Sequence, residues 1–180
     1  LIGLVGSEMC IRDSFMVEPR EFYSNPQTEG SNHYQMKSAN DEKQLILDKA
    51  LIEFHNFKNN LEKNGVEILC LKGIEGCPDH IFPNWFTTFE DKTMQIFPMN
   101  AENRRKEKTP EMINKLCEIY KIQNDYGYLE LEGIFLESTS SMVFDRVNRI
   151  VYATPSPRTN ENFLNEWCEK NKYDLCSFKT

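Results

Sequence analysis

The residues of this chain best suited to chemistry are concentrated between positions 136 and 160. Glu137 stands directly before the small-residue run Ser138-Thr139-Ser140-Ser141, and Arg158 lies in Ser156-Pro157-Arg158-Thr159-Asn160. Between them, apolar stretches at 142–144 and 150–153 flank the turn Asp145-Arg146-Val147-Asn148. An acid on such a turn is held by backbone N–H donors, and an arginine close by can clamp a carboxylate with two parallel hydrogen bonds. The pair suits a small zwitterionic substrate. Two polar segments precede it, Pro78-Asp79-His80-Ile81-Phe82-Pro83-Asn84-Trp85-Phe86 and Pro98-Met99-Asn100-Ala101-Glu102-Asn103-Arg104-Arg105-Lys106-Glu107.

Each of these residues also has a plainer reading. Glu137 can be a carboxylate capping a turn, and Asn84 an ordinary turn residue. Arg104-Arg105-Lys106 can be a solvated approach to a helix, and Asp145-Arg146 an exposed turn pair contributing less than about 1 kcal/mol. Phe82, Trp85 and Phe86 read as plain core at least as readily as the wall of a pocket. The histidines offer no base: His33 and His55 fall on a loop and a helix, and His80 sits in the Asp79 segment.

Composition narrows the classes. A chain of 180 residues with 39% hydrophobic content can bury a real core. Its net charge of −7, with acids and bases interleaved, argues against a nucleic-acid partner. No apolar run approaches membrane-spanning length, so no membrane partner is expected. The six cysteines include no Cys-x-x-Cys pair and follow no secretory signal, which predicts reduced thiols and a cytoplasmic location. Cys77-Pro78-Asp79-His80 lacks a second ligand cluster, so no metal is expected, and no other cofactor.

The elements that must position the polar residues follow from periodicity. Apolar residues Leu47, Leu51, Phe54, Phe57 and Leu61 recur at helical spacing over 41–64, ended by Gly65, with a strand at 66–71 after it. Phe15-Met16-Val17 predicts a strand, and 23–40 a long polar loop. Residues 85–89 and 94–99 predict a hairpin about Glu90-Asp91-Lys92, followed by a helix opened by Thr109-Pro110-Glu111 and a strand near Ile122. The order then repeats: the 142–153 hairpin, a helix at 160–170 with Phe163, Leu164 and Trp167 inward, and a strand at 173–178. A hairpin–helix–strand unit with a period of about fifty residues signals a repeat architecture of the α/β class.

The three polar motifs, in this order, resemble those of the amidinotransferase or pentein superfamily of guanidino-group-modifying enzymes. They are most similar to the citrulline-utilisation hydrolase type, with arginine deiminase and dimethylarginine dimethylaminohydrolase as more distant relatives. The resemblance runs from about Phe15 to Thr180. It implies a five-bladed α/β propeller of which this chain supplies the N-terminal part, about two and a half repeated ββαβ-like modules. Residues 15–180 are then expected to be part of one catalytic domain. Residues 1–14 resemble a translated adapter fragment and are excluded from the fold, so Cys10 carries no meaning.

The resemblance implies hydrolysis or transfer at an amidine C–N bond through a covalent cysteine intermediate, with a guanidino or ureido amino acid as the small-molecule partner. It implies Glu137 as the acid that orients a catalytic histidine, Asp79 and Asn84 beside the guanidinium, and Arg158 with Arg104 or Arg105 on the substrate carboxylate. Relatives carry Pro-Asn-Asn-Trp where this chain has Pro83-Asn84-Trp85, one asparagine short. In relatives the catalytic histidine and cysteine come from later modules, so the chain as given is expected to be inert, and Cys168 and Cys176 read as small packed residues. The full-length protein is expected to be compatible with a homodimer. The alternative is a non-catalytic pentein-like binding module or pseudoenzyme, as a ribosome-binding translation factor of this fold exemplifies.

Overall fold

The computed structural model describes residues 13–31 and 42–179. Cys10, His33 and the second half of the polar loop expected over 23–40 lie outside the described residues. The architecture is mixed α/β, with three small sheets and the helices between their strands.

Strand β1 (Asp13–Glu18) pairs in parallel with β2 (Glu67–Lys72), Phe15 opposite Leu69 and Val17 opposite Leu71. A parallel pair needs a crossover, and α1 (Lys43–Lys63) supplies it. Gly65 ends α1 at φ +83°: its N–H donates to Glu62 O and that of Val66 to Leu61 O, which satisfies two carbonyls the helix leaves open. The expected inward face is shallower than the periodicity suggests. Phe54 is buried, but Phe57 is 58% exposed.

The second module opens with β3 (Phe86–Thr88) antiparallel to β4 (Thr93–Ile96). Asp91 shapes the turn by accepting from the N–H and hydroxyl of Thr93. A one-turn helix α2 (Glu102–Arg105) and α3 (Pro110–Cys117) follow, then β5 (Lys121–Asp125), parallel to β4. Thr109 caps α3 by accepting from Met112 N–H, with Pro110 at the first helical position where its missing N–H costs nothing.

The third module repeats that order. A one-turn helix α4 (Ser138–Ser141) leads into β6 (Met142–Asp145), antiparallel to β7 (Ile150–Ala153). Asn160 caps α5 (Glu161–Asn171), and β8 (Asp174–Ser177) returns parallel to β7. The hairpin–helix–strand unit read from the sequence is thus present twice, and β1–α1–β2 forms its helix–strand half. The sequence pattern did not reveal α2, α4 or the 3-10 turn at Gly127–Glu132.

Two apolar clusters fill the spaces between modules. Val17, Trp85, Met94, Ile96, Met99, Met112 and Leu116 form one. The other gathers Phe97, Leu136, Met142, Val151, Leu164, Trp167 and Tyr173. Trp85 is wholly buried core with Phe86 packed against it, whereas Phe82 is 51% exposed. Strand β4 is buried on both faces: Met94 and Ile96 look into the first cluster, while Gln95 meets the second through Trp167. The Trp167 indole N–H donates to Gln95 Oε1 at 2.7 Å, and the Gln95 amide donates to Gln123 and Asn171, each at 2.7 Å. This network joins the second module to the third. Gln95→Leu strands the indole donor in apolar surroundings, and a loss of about 1–3 kcal/mol is expected in denaturant unfolding.

Candidate functional site

The chain leaves β7 and returns under Glu137. Leu136 and Thr159 form an isolated antiparallel bridge. The Arg158 carbonyl accepts from Glu137 N–H at 3.3 Å and from the Ser141 hydroxyl at 2.8 Å, and Thr159 donates to Ser141 Oγ at 2.9 Å. These small hydroxyls explain the Ser/Thr run, since each ties one backbone segment to another.

Glu137 has φ −85° and ψ 58°, and Ser138 N–H reaches back to Leu136 O at 3.0 Å, an inverse γ-turn. Ser138 then takes φ 32°, in the left-handed region that disfavours a side chain. Its buried hydroxyl donates to Phe86 O at 2.9 Å, which offsets the strain and docks α4 on β3.

The Glu137 side chain is fully buried. One carboxylate oxygen accepts from Asn100 N–H at 3.0 Å and the other from the Ser140 hydroxyl at 3.0 Å. Arg158 Nη1 stands 3.8 Å from the second oxygen, its side chain 24% exposed, and its Nε is buried without an acceptor. Arg158 therefore retains donor capacity beyond Glu137.

The two arginines of α2 have different surroundings. Arg104 is 4% exposed and engages Glu107 through Nε at 3.0 Å and Nη2 at 3.2 Å. Nη2 also donates to Phe82 O and, at 3.5 Å, to Asp79 O. Its fork is committed to protein acceptors, and Glu107 raises its pKa against the cost of burial. Burial pushes the Glu107 carboxyl up to about 7, with Arg104 pulling it back. Arg105 is half-buried, donates to Met99 O and Asn100 O at 2.9 Å each, and lies over the Phe135 ring. The Asn100 peptide thus touches Arg105 through its carbonyl and Glu137 through its N–H.

Asp79 accepts from Asn25 Nδ2 at 2.7 Å and from the Thr28 hydroxyl at 3.0 Å. Asn25 also exchanges hydrogen bonds with Asn103. Glu21 accepts from Gly76 and Cys77 N–H, so the segment after β1 is strapped across the Asp79 turn. Asn84 Oδ1 accepts from the Thr139 hydroxyl at 3.0 Å, which sets that loop against α4. Burial pushes the Cys77 thiol up to about 11, and it donates to Asn103 O. Cys168 is buried with its thiol also raised to about 11, while Cys176 is exposed.

The structure thus gathers Asp79, Arg104, Glu137 and Arg158 into one neighbourhood, with Arg105 joined through Asn100 and Asn84 through Thr139. Arg146 is not the exposed partner of Asp145: it reaches Thr88 O and Thr87 Oγ1 on β3. Sequence reasoning did not single out Asn100, Ser140, Glu107 or the Asn25–Asn103 pair. Only Glu107 carried a signal, at three residues from Arg104 on one helical turn.

A model for the family described as N,N dimethylarginine dimethylhydrolase, eukaryotic, matches residues 18–180. The chain belongs to this family. The assignment places it in the amidinotransferase, or pentein, superfamily that the three motifs indicated. No curated protein sequence matches it.

Solved structures with a similar fold include a dimethylarginine dimethylaminohydrolase adduct with S-methyl-L-thiocitrulline, at 17% identity and TM-score 0.62, covering 95% of this chain and 62% of that one. Another is a Pseudomonas aeruginosa member of that enzyme class complexed with citrulline, at 17% identity and TM-score 0.62, covering 94% and 61%. A third is the N-terminal domain of ArgZ, an arginine dihydrolase of the cyanobacterial ornithine–ammonia cycle, bound to substrate. It has 15% identity and TM-score 0.65, covering 93% and 57%. The chain therefore spans roughly three-fifths of the length of these structures.

Two predictions separate scaffold from site. Arg104→Leu or Glu107→Ala leaves a buried charge unpaired and is expected to cost about 3–5 kcal/mol in denaturant unfolding, whereas Arg105→Ala is expected to cost about 1 kcal/mol.

The second prediction concerns His80, which is 1% exposed, accepts from Ile74 N–H at Nδ1, and has a pKa lowered from 6.5 to about 4 by burial and by Arg104. Between those values the unfolded chain holds a proton that the folded chain does not. Stability from His80 is therefore present above pH 6.5 and is lost as pH falls toward 4. Glu107 runs the opposite way, so the native chain is best compared with His80→Gln, which keeps the Glu107 contribution. On acidification through that window the variant should gain on the native chain by on the order of 3 kcal/mol in parallel unfolding curves. A constant difference would mean that the folded histidine takes up its proton over the same pH range as in the unfolded chain.

Proposed function

We propose that the chain forms the N-terminal part of a partial five-bladed α/β propeller whose complete form hydrolyses a C–N bond of a guanidino or ureido amino acid. The observation that carries this reading is the fully buried Glu137 carboxylate beside a half-buried Arg158 whose Nε lacks an acceptor. A carboxylate held on three sides is suited to fix the imidazole of a histidine in one orientation. A guanidinium with spare donors is suited to a substrate carboxylate, at about 1.5–3 kcal/mol for a charge-assisted pair.

On this reading Glu137 orients the histidine, and Arg158 with Arg105 binds the substrate carboxylate. Asp79 and Asn84 approach the guanidinium, and Arg104 holds the Asp79 loop in place. A cysteine thiolate attacks the guanidinium carbon, and the histidine passes a proton to the departing nitrogen. Water then cleaves the covalent intermediate and restores the thiolate. Both groups come from later modules, so these 180 residues alone turn nothing over. The location is cytoplasmic on this reading.

Asn84 supports a second reading, because its shortened loop has its amide oxygen occupied by Thr139. A pseudoenzyme would bind arginine or citrulline and leave it unchanged.

The test is the open reading frame followed past Thr180 and assayed with dimethylarginine, arginine and citrulline. Turnover is expected. Glu137→Gln should lower kcat by about two orders of magnitude with KM little changed. Arg158→Ala should raise KM about tenfold or more. Binding without turnover would establish the pseudoenzyme, and unchanged kinetics in both variants would refute the roles assigned to them.

A further inference from the structure

We propose that the cleft between the second and third modules binds a small, multiply charged phosphate-class anion, at a place none of the candidate site residues lines. The cleft encloses ≈ 400 Å³, in the range of small-molecule sites and too large for an incidental water. Arg146, Arg149, Lys170 and Lys172 line it, in a chain whose net charge is −7. Glu90 and Asp91 of the β3–β4 turn line it too, two acids against four cations, and Asp91 is engaged by Thr93. Among the described residues none of the four cations lies within 4.0 Å of a carboxylate.

Arg146, Arg149 and Lys170 are held by neutral partners, which orient a cation without cancelling its charge. Arg149 donates to the carbonyls of Lys172 and Asn171 and stacks 3.9 Å above the Tyr173 ring. Arg146 is pinned to Thr87 and Thr88, and Lys170 reaches Asn124 at 3.3 Å. The lining amides of Gln123 and Asn171 are held from below by buried Gln95. The result is a preformed set of positive groups around a polar floor. Rigid guanidinium edges mixed with lysine point charges suit a tetrahedral oxyanion of high charge better than one planar carboxylate. Uncompensated positive charge in a protein of the opposite net sign also disfavours a surface role in simple solubility.

The experiment titrates inorganic pyrophosphate into the full chain by calorimetry at two salt concentrations, with citrate as the carboxylate comparator. Saturable one-to-one binding that weakens with salt is expected, with citrate weaker. Arg149→Gln combined with Lys170→Gln should weaken pyrophosphate at least tenfold, and Lys170→Gln alone, at a side chain that touches Asn124 and the Tyr126 ring, should weaken it in part. Lys115→Gln, on the exposed face of α3, should leave it unchanged, and circular dichroism should confirm that every variant is folded. Absence of saturation, equal affinity in the double variant, equal loss in Lys115→Gln, or preference for citrate would each overturn the proposal.

Discussion

A carboxylate with no solvent exposure has to be satisfied from within, and at Glu137 this requirement draws separate segments of the chain together. The Asn100 N–H comes from the run beyond β4, the Ser140 hydroxyl from α4 and the Arg158 guanidinium from the run beyond β7. Removing any one of them leaves a buried acid short of a donor, which is far costlier than losing a surface contact. The strained Ser138 is a consequence of the same demand. The γ-turn at Glu137 is followed directly by Ser138 at positive φ, and the Ser138 hydroxyl bond to Phe86 O holds it there.

A second buried charge sits beside the first. Arg104 lies within the fields of Glu107, Glu137 and Asp79, and Glu107 within those of Asp79 and Glu137. The neighbourhood carries three acids, Asp79, Glu107 and Glu137, against Arg104, Arg158 and the adjoining Arg105. One of these cations, Arg104, is consumed internally by Glu107 and by the carbonyls of Asp79 and Phe82. That commitment explains why Arg104 is better placed to hold the site together than to greet a ligand.

Local chemistry made most of the fold legible. Thr109-Pro110, Asn160 and Gly65 mark helix ends through their own hydrogen bonds, so α3, α5 and the end of α1 stand where the residues predict them. Phe57 was misplaced because spacing locates a face of a helix and says nothing about how deeply that face packs. In the site, Glu137 and Arg158 were readable from motif order. Asn100 was not, since its contribution is a peptide N–H that any side chain would have supplied. The Asn25–Asp79–Asn103 strap was equally hidden, because it joins residues as much as 78 positions apart through neutral amides that leave no periodic trace.

The three parallel strand pairs β1–β2, β4–β5 and β7–β8 make β1 the counterpart of β4 and β7. In each case a proline follows closely, Pro19 after β1, Pro98 after β4 and Pro155 after β7. A proline has no N–H for a ladder, so it ends sheet pairing and releases the chain at the same place in every module. The released segments are the ones that build the site. The first delivers Glu21, Asn25 and Thr28, the second Asn100, Arg104 and Arg105, and the third Arg158. Repetition of the backbone fixes where the three segments meet, and difference in their side chains makes the meeting point chemically asymmetric. A repeat fold thereby reconciles a regular scaffold with a site whose charges and donors differ from one side to the other.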